Sequence, residues 1–392
     1  MTGVRRAWAS TALALIVPGA AFADSANLAD MVDDLQRIQV QIARGEKAAY
    51  AAELNQLKTM GAAIAAAGPE SWKDRRQADS LVVYIVSGGS LTEVAPLLKG
   101  DAVAESERAL ARGALAYVTN HEADAMSLLG KEDLNALDAR LAGEVAFARS
   151  VLETRRDAKA AVELLDWARL VAPGGLVEEA ALRREIVLLA EAKDAPRTAM
   201  LTRQYSTRFA ASLYAADFFR DLATAIAKFG LAPDPDNYQR LSRAVASLPP
   251  DNRRDFLLTL AKSAVVNGRF DAAAAAATEA LEGAGADSPE VMRARLYLAA
   301  SRMFSDAYDA AAADLRTIIA SRLDRADANL LAAVRRVAAE LRIAPDAGFL
   351  TSSPASLDGG DKDKPNGPAL TIERARNALE RTAGLASGQG TP

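Results

Sequence analysis

Alanine dominates residues 24–343, and that narrows the fold to helices. Alanine loses no side-chain entropy in a helix and has the highest intrinsic helix propensity. Glycine and proline fall mostly between the apolar-periodic segments, where they punctuate rather than interrupt. The best strand-like run, Val82-Val83-Tyr84-Ile85-Val86, is short and isolated. It reads as a buried helix end stopped by Gly88-Gly89. The expected class is all-α.

The helices come in short pairs. Residues 252–267 place Phe256, Leu257, Leu260 and Ala264 on one face, Gly268 breaks the pattern, and Asp271 opens a helix to about Leu281. Ser288, Pro289 and Glu290 supply an N-cap, a proline at the first helical position and an acid in the first turn. Asp306 or Asp309 opens the next helix, and Asp324 a last long one. Tetratricopeptide units are helix pairs of about 34 residues with small residues where the helices cross. Gly268-Arg269-Phe270 followed by Ala273, Ala280 and Leu281 fits that turn and second helix; Asp306-Ala307-Tyr308 with Ala311, and Ala161, Ala168 and Pro173, fit more loosely. The reading is a degenerate tetratricopeptide-like helical-repeat solenoid over residues 24–343.

Both ends read differently. Arg5-Arg6, an apolar run from Ala7 to Val17, and Ala21-Phe22-Ala23 before Asp24 form the three parts of a secretory signal peptide, residues 1–23. The run is about half of the ~20 residues a membrane span needs. The expected cleavage site is therefore marked by Ala21, Ala23 and Asp24, and the expected location is the periplasm. A chain with no cysteine suits that compartment. Residues 344–370 are rich in serine, glycine, proline and lysine and read as a disordered linker. Residues 371–392 hold a short helical pattern with Ile372, Ala375, Leu379 and Ala383 on one side, then a tail.

Chemistry is sparse. Without cysteine, thiol catalysis and cysteine-ligated metal are excluded, and any imidazole role rests on His121 alone. A formal charge of −4 makes nucleic acid and anionic lipid poor partners. No dinucleotide, P-loop or nucleophile-elbow motif occurs, and no cofactor or metal is expected. Ser87-Gly88-Gly89-Ser90 resembles an anion-cradling loop but reads better as a helix-ending turn. His121 reads as an exposed or capping residue, and Glu132, Asp133 and Asp138 as helix-cap chemistry rather than a metal loop. Trp72, Trp167, Tyr84, Tyr205, Phe209 and Tyr214 could line a groove, but at helical spacing they read better as core. Glu144, between apolar neighbours, is the best acid for a cell-wall hydrolase, although a position on the polar side of a helix explains it more simply.

One segment is unusually definite: Leu164-Leu165-Asp166-Trp167-Ala168-Arg169-Leu170-Val171-Ala172-Pro173-Gly174-Gly175-Leu176-Val177-Glu178-Glu179-Ala180-Ala181-Leu182-Arg183-Arg184. Physically it is a helix, a Pro-Gly-Gly turn, and a second helix with acids in its first turn. Glu179 stands four residues before Arg183, the spacing of an intrahelical ion pair. This block resembles the hallmark of the MotC chemotaxis and motility family of alphaproteobacteria. Tyr84-Ile85-Val86-Ser87-Gly88-Gly89-Ser90 and the stretch from Arg203 to Ala215 agree in order and spacing. Trp167 and Gly175 depart from the family pattern. The resemblance implies a periplasmic, non-enzymatic protein that binds the periplasmic region of the flagellar stator protein MotB and supports motor rotation. Its expected partner-binding patch is Pro173, Gly174, Leu176, Glu178, Glu179, Arg183 and Arg184. The competing readings are that this block only fixes one helix pair on the next, that the chain is a general periplasmic adaptor in envelope assembly, or that it is the hydrolase above.

Overall fold

The structure, a computed structural model, describes residues 27–232, 235–282, 285 and 288–341. The expected leader with Ala21, Ala23 and Asp24, the linker 344–370 and the segment 371–392 lie outside the described residues. Within them every regular element is helical: seventeen α-helices and three short 3-10 turns. The all-α expectation holds, and Val82–Val86 closes a helix.

The described residues divide into two compact units, 27–36 with 52–131, and 37–51 with 132–341. Helices α1 (Leu28–Ala43) and α2 (Lys47–Ala66) each contribute to both. The first unit adds α3 (Arg75–Val86), α4 (Leu91–Lys99), α5 (Glu105–Val118) and α6 (Glu122–Leu129). Here the Tyr84 block gains its explanation. The buried Tyr84 ring lies flat against Gly89, where an added Cβ would sit 2.4–2.5 Å from three ring atoms. Its hydroxyl accepts the Ser90 amide at 2.9 Å. The turn is therefore filled by the protein's own tyrosine and offers no anion cradle. His121 is the exposed N-cap of α6, as expected, and Thr119 Oγ1 lies 2.9 Å from its Nδ1.

The second unit runs through α7 (Ala139–Glu153), α8 (Ala158–Val171), α9 (Leu176–Glu191), α10 (Ala195–Arg208), α11 (Ala215–Phe229), α12 (Pro235–Ala244), α13 (Pro250–Val266), α14 (Phe270–Leu281), α15 (Pro289–Arg302), α16 (Tyr308–Thr317) and α17 (Arg325–Leu341). Its packing is that of stacked helix pairs. The odd-numbered helices from α7 to α17 pack each on the next in one layer, and α10, α12 and α14 do so in the other. Buried alanines sit at the crossings: Ala261, Ala264, Ala273, Ala276 and Ala277 between α13 and α14. Without long side chains there, the backbones come close and bury their apolar faces on one another. Asp133 and Asp138 accept backbone amides at helix starts, and Ser288 and Asp324 do the same further on, so those four cap readings hold. Glu132 instead offers its carbonyl to Arg149, and α16 opens behind Ala307 with no side-chain cap rather than at Asp306 or Asp309.

Rings link successive pairs. Tyr205 of α10 meets Phe218 at 4.3 Å between centroids, Phe218 meets Phe219 at 5.2 Å, and Phe219 meets Phe256 of α13 edge-on at 6.2 Å. Such geometries each contribute about 0.5–1.5 kcal/mol beyond area burial.

Candidate partner-binding surface

The definite segment spans α8, the turn after it and α9. Ala172 caps α8, Pro173 stands exposed, and Gly174 has φ +89°, a left-handed conformation that costs most residues ~1–2 kcal/mol. Gly175 begins α9 with no side chain to cap it. Glu178, three residues on, takes over: its carboxylate accepts the Gly174 amide. This is a capping-box carboxylate shifted by one residue.

The two acids then turn inward. Glu178 is 1% exposed, and its other oxygen accepts Gln204 Nε2 at 3.1 Å and an Arg208 guanidinium N–H. Glu179 is 0% exposed, and one oxygen accepts the hydroxyls of Tyr205, at 2.9 Å, and Ser212. Arg183 Nε stands 4.0 Å from that oxygen, so the intrahelical pair forms at its limit. Burial pushes the Glu179 pKa up, against the Ser212 and Tyr205 hydrogen bonds and the Arg183 charge. Nearly two turns on, the buried Glu185 receives Arg169 of α8 and Arg197 of α10, both at 3.1 Å, and Asp166 closes the ring by pairing with the same two arginines.

The expected patch is thereby redistributed. Glu178 and Glu179 are interior and join α9 to α10 and to the turn before α11, so they present no carboxylate to a partner. Arg184 reaches back to Thr154 at the end of α7, with Nη2–Oγ1 at 3.2 Å. Leu176 is half-buried against the core. Besides the exposed Pro173, Arg183 turns outward: its side chain is 31% exposed and its guanidinium lies over the Tyr214 ring, 4.6 Å from the centroid. Tyr214 and its neighbour Leu213 are 37% and 44% exposed. Tyr214 therefore departs from the core reading. Tyr214 is one of the aromatics that could line a groove but read better as core, and Leu213 carries no signal of its own in the sequence, although both lie in the block Arg203–Ala215. The missed signal was that this block and the Pro173 block each carry the polar partners that the other lacks.

Glu144 sits on α7, half-buried, with no hydrogen bond or ion pair, and burial pushes it up to about 7. Its folded pKa thus lies above the ordinary value of 4.5. Protonation is favoured by folding, so its contribution is fully present below about pH 4.5 and is lost as pH rises through 7. Glu144→Gln should therefore stabilise the chain at pH 8 by about 2 kcal/mol, the partial exposure included, and leave it nearly unchanged at pH 4. Urea melts at the two pH values test this; equal shifts at both would refute it.

Among the described residues there is no group of three metal-ligating side chains, and no helix is long and apolar enough to cross a membrane. What they define is a helix-pair array with an arginine–aromatic surface.

The profile of the family described as Chemotaxis protein MotC matches residues 2–389. This chain belongs to that family, and is thus a chemotaxis and motility protein. It is 27% identical over 367 residues to the Chemotaxis protein MotC of Rhizobium meliloti (strain 1021), covering 92% of this chain and 81% of that relative. No solved structure matches it.

Proposed function

We propose that this protein is exported to the periplasm and acts there as a non-enzymatic interaction protein, holding the periplasmic region of the stator protein MotB in a state competent for motor rotation. The observation that carries the reading is the Arg183–Tyr214 stack with Leu213 beside it. Two distant blocks of the chain, locked together through Glu178 and Glu179, jointly expose a cation, an aromatic ring and an aliphatic side chain. Arginine and tyrosine are enriched at the energetic centres of protein interfaces. The interior acids make this surface rigid, so little side-chain entropy is lost on docking.

Titration of the chain from Asp24 onward with the purified periplasmic region of the same organism's MotB tests the partner. Saturable binding supports it. No binding up to roughly 100 μM, about −5.5 kcal/mol, favours a general envelope adaptor instead. Arg183→Ala with Tyr214→Ala should weaken that binding at least tenfold, about 1.4 kcal/mol, with helical circular dichroism unchanged. Wild-type affinity in the double variant would remove this surface from the interface. Arg184→Ala is the matched control, since its side chain faces α7, and it should bind close to wild type.

A further inference from the structure

A second surface lies on α8, α10 and α12, away from the layer of odd-numbered helices. Helices joined by short turns run antiparallel to their chain neighbours, so these alternate helices run the same way. Asp166 of α8 and Arg197 of α10 pair at 2.9 Å. Leu170 lies four residues beyond Asp166 and Met200 three beyond Arg197, so both stand one turn past that bridge. They are 68% and 56% exposed, the two most exposed large apolar side chains among the described residues. Trp167, half-buried, stands one turn before Leu170.

The charge beside them is positive. Ser206 Oγ of α10 donates to the Ala244 carbonyl at the end of α12 at 2.7 Å. Arg203 lies three residues before Ser206 and Arg240 four before Ala244, so both stand one turn back from that bond, at one level. Arg203 is also three residues beyond Met200, on the same stripe of α10. Both arginines are exposed, and neither has an ion pair or side-chain hydrogen bond among the described residues. Arg243, one turn beyond Arg240, bonds to the neutral Gln239 amide at 3.0 Å. The other charges of the three helices are accounted for. Arg169, Arg197 and Arg208 are spent on Asp166, Glu185 and Glu178. Lys159 and Glu163 of α8 stand four residues apart and offset each other. Asp236, at the start of α12, is the carboxylate left to set against Arg203, Arg240 and Arg243, and it pairs with none of them.

We infer that this face binds a segment of the protein partner in which aliphatic side chains adjoin aspartate or glutamate. The aliphatic groups cover Leu170 and Met200, where the flexible thioether adapts to their shape. The carboxylates take the Arg203 and Arg240 guanidiniums in charge-assisted hydrogen bonds. A second copy of this chain fits poorly, because a two-fold contact sets the same patch against itself and brings arginine onto arginine. An anionic lipid surface fits poorly too, since the chain as a whole carries −4. This assignment rests on the interaction-protein reading above but uses a different surface from Arg183 and Tyr214.

The test uses the chain from Asp24 onward and two capped decapeptides. One carries two leucines followed by three glutamates in an alanine background; the other has glutamines for the glutamates. Calorimetry at ~20 mM salt with up to about 2 mM peptide should show the glutamate peptide binding roughly fivefold more tightly, a preference that shrinks at ~300 mM salt. Arg203→Gln with Arg240→Gln should abolish the preference. Leu170→Ala with Met200→Ala should weaken both peptides, again roughly fivefold. All four side chains are exposed, so the melting temperature stays at that of the wild type. Equal binding of the two peptides, no binding of either, or an unchanged preference in the arginine variant overturns the inference. So does an anionic-vesicle complex, or a dimer by light scattering, that the wild type forms and these variants lose. In parallel, the arginine variant is titrated with the MotB periplasmic region. If the wild type binds MotB and the variant binds it equally, the inference falls and the stator reading stands. If the glutamate peptide binds the wild type as expected and MotB does not, the face stands and the stator reading falls.

Discussion

Asp327→Ala is expected to destabilise the second unit by about 3–5 kcal/mol, the cost of stripping one partner from a buried charge cluster. Asp327 is 0% exposed at the start of α17. Both its oxygens accept the Tyr297 hydroxyl at 2.8 Å, Lys262 Nζ lies 2.8 Å away, and Arg293 approaches at 3.2 Å. One carboxylate therefore joins α13, α15 and α17. Its removal leaves two partly exposed cations without their shared carboxylate, and a buried hydroxyl lacking its acceptor. Urea unfolding followed by circular dichroism measures the loss. A change under 1 kcal/mol would mean that water reaches the site and rescues the cations. Asp327→Asn keeps the volume but not the charge, so it should fall between the two.

Glu178→Ala comes next, at about 3 kcal/mol. It orphans the Gly174 amide at an otherwise uncapped helix start and leaves Arg208 without its carboxylate. The same variant separates structural from binding roles in the definite block. It should lower the melting temperature yet, below that temperature, change MotB affinity less than Arg183→Ala with Tyr214→Ala does. The reverse order, full stability with lost binding, would return Glu178 to the interface.

The helix ends marked by a capping side chain were legible because their chemistry is local; α16, which has none, was not placed by Asp306 or Asp309. A cap needs only a side chain within three residues of the amides it serves, so Ser288, Asp324, Asp133 and Asp138 could be read directly. The helix pair at Gly268-Arg269-Phe270 was legible for the same reason: a break and a restart lie within three positions, and the alanines at the crossing recur at helical spacing. The division into two units was not, because it depends on which faces meet across long separations, and alanine marks every face alike.

The definite block shows where local reading ends. Its turn, its helix start and the Glu179–Arg183 spacing follow from residues a few positions apart. Whether its acids face a partner or the interior depends on Gln204, Tyr205, Arg208 and Ser212, roughly thirty residues away, and only the packing of α9 on α10 brings them there. The Asp327 cluster depends likewise on three helices, α13, α15 and α17. Composition and spacing alone settle an all-helical chain of paired segments with little catalytic vocabulary, since propensity, capping and turn chemistry act over a few residues. Which charges are spent inside and which are left at the surface is a property of distant neighbours, because burial and ion pairing are set by what the fold places across from each side chain.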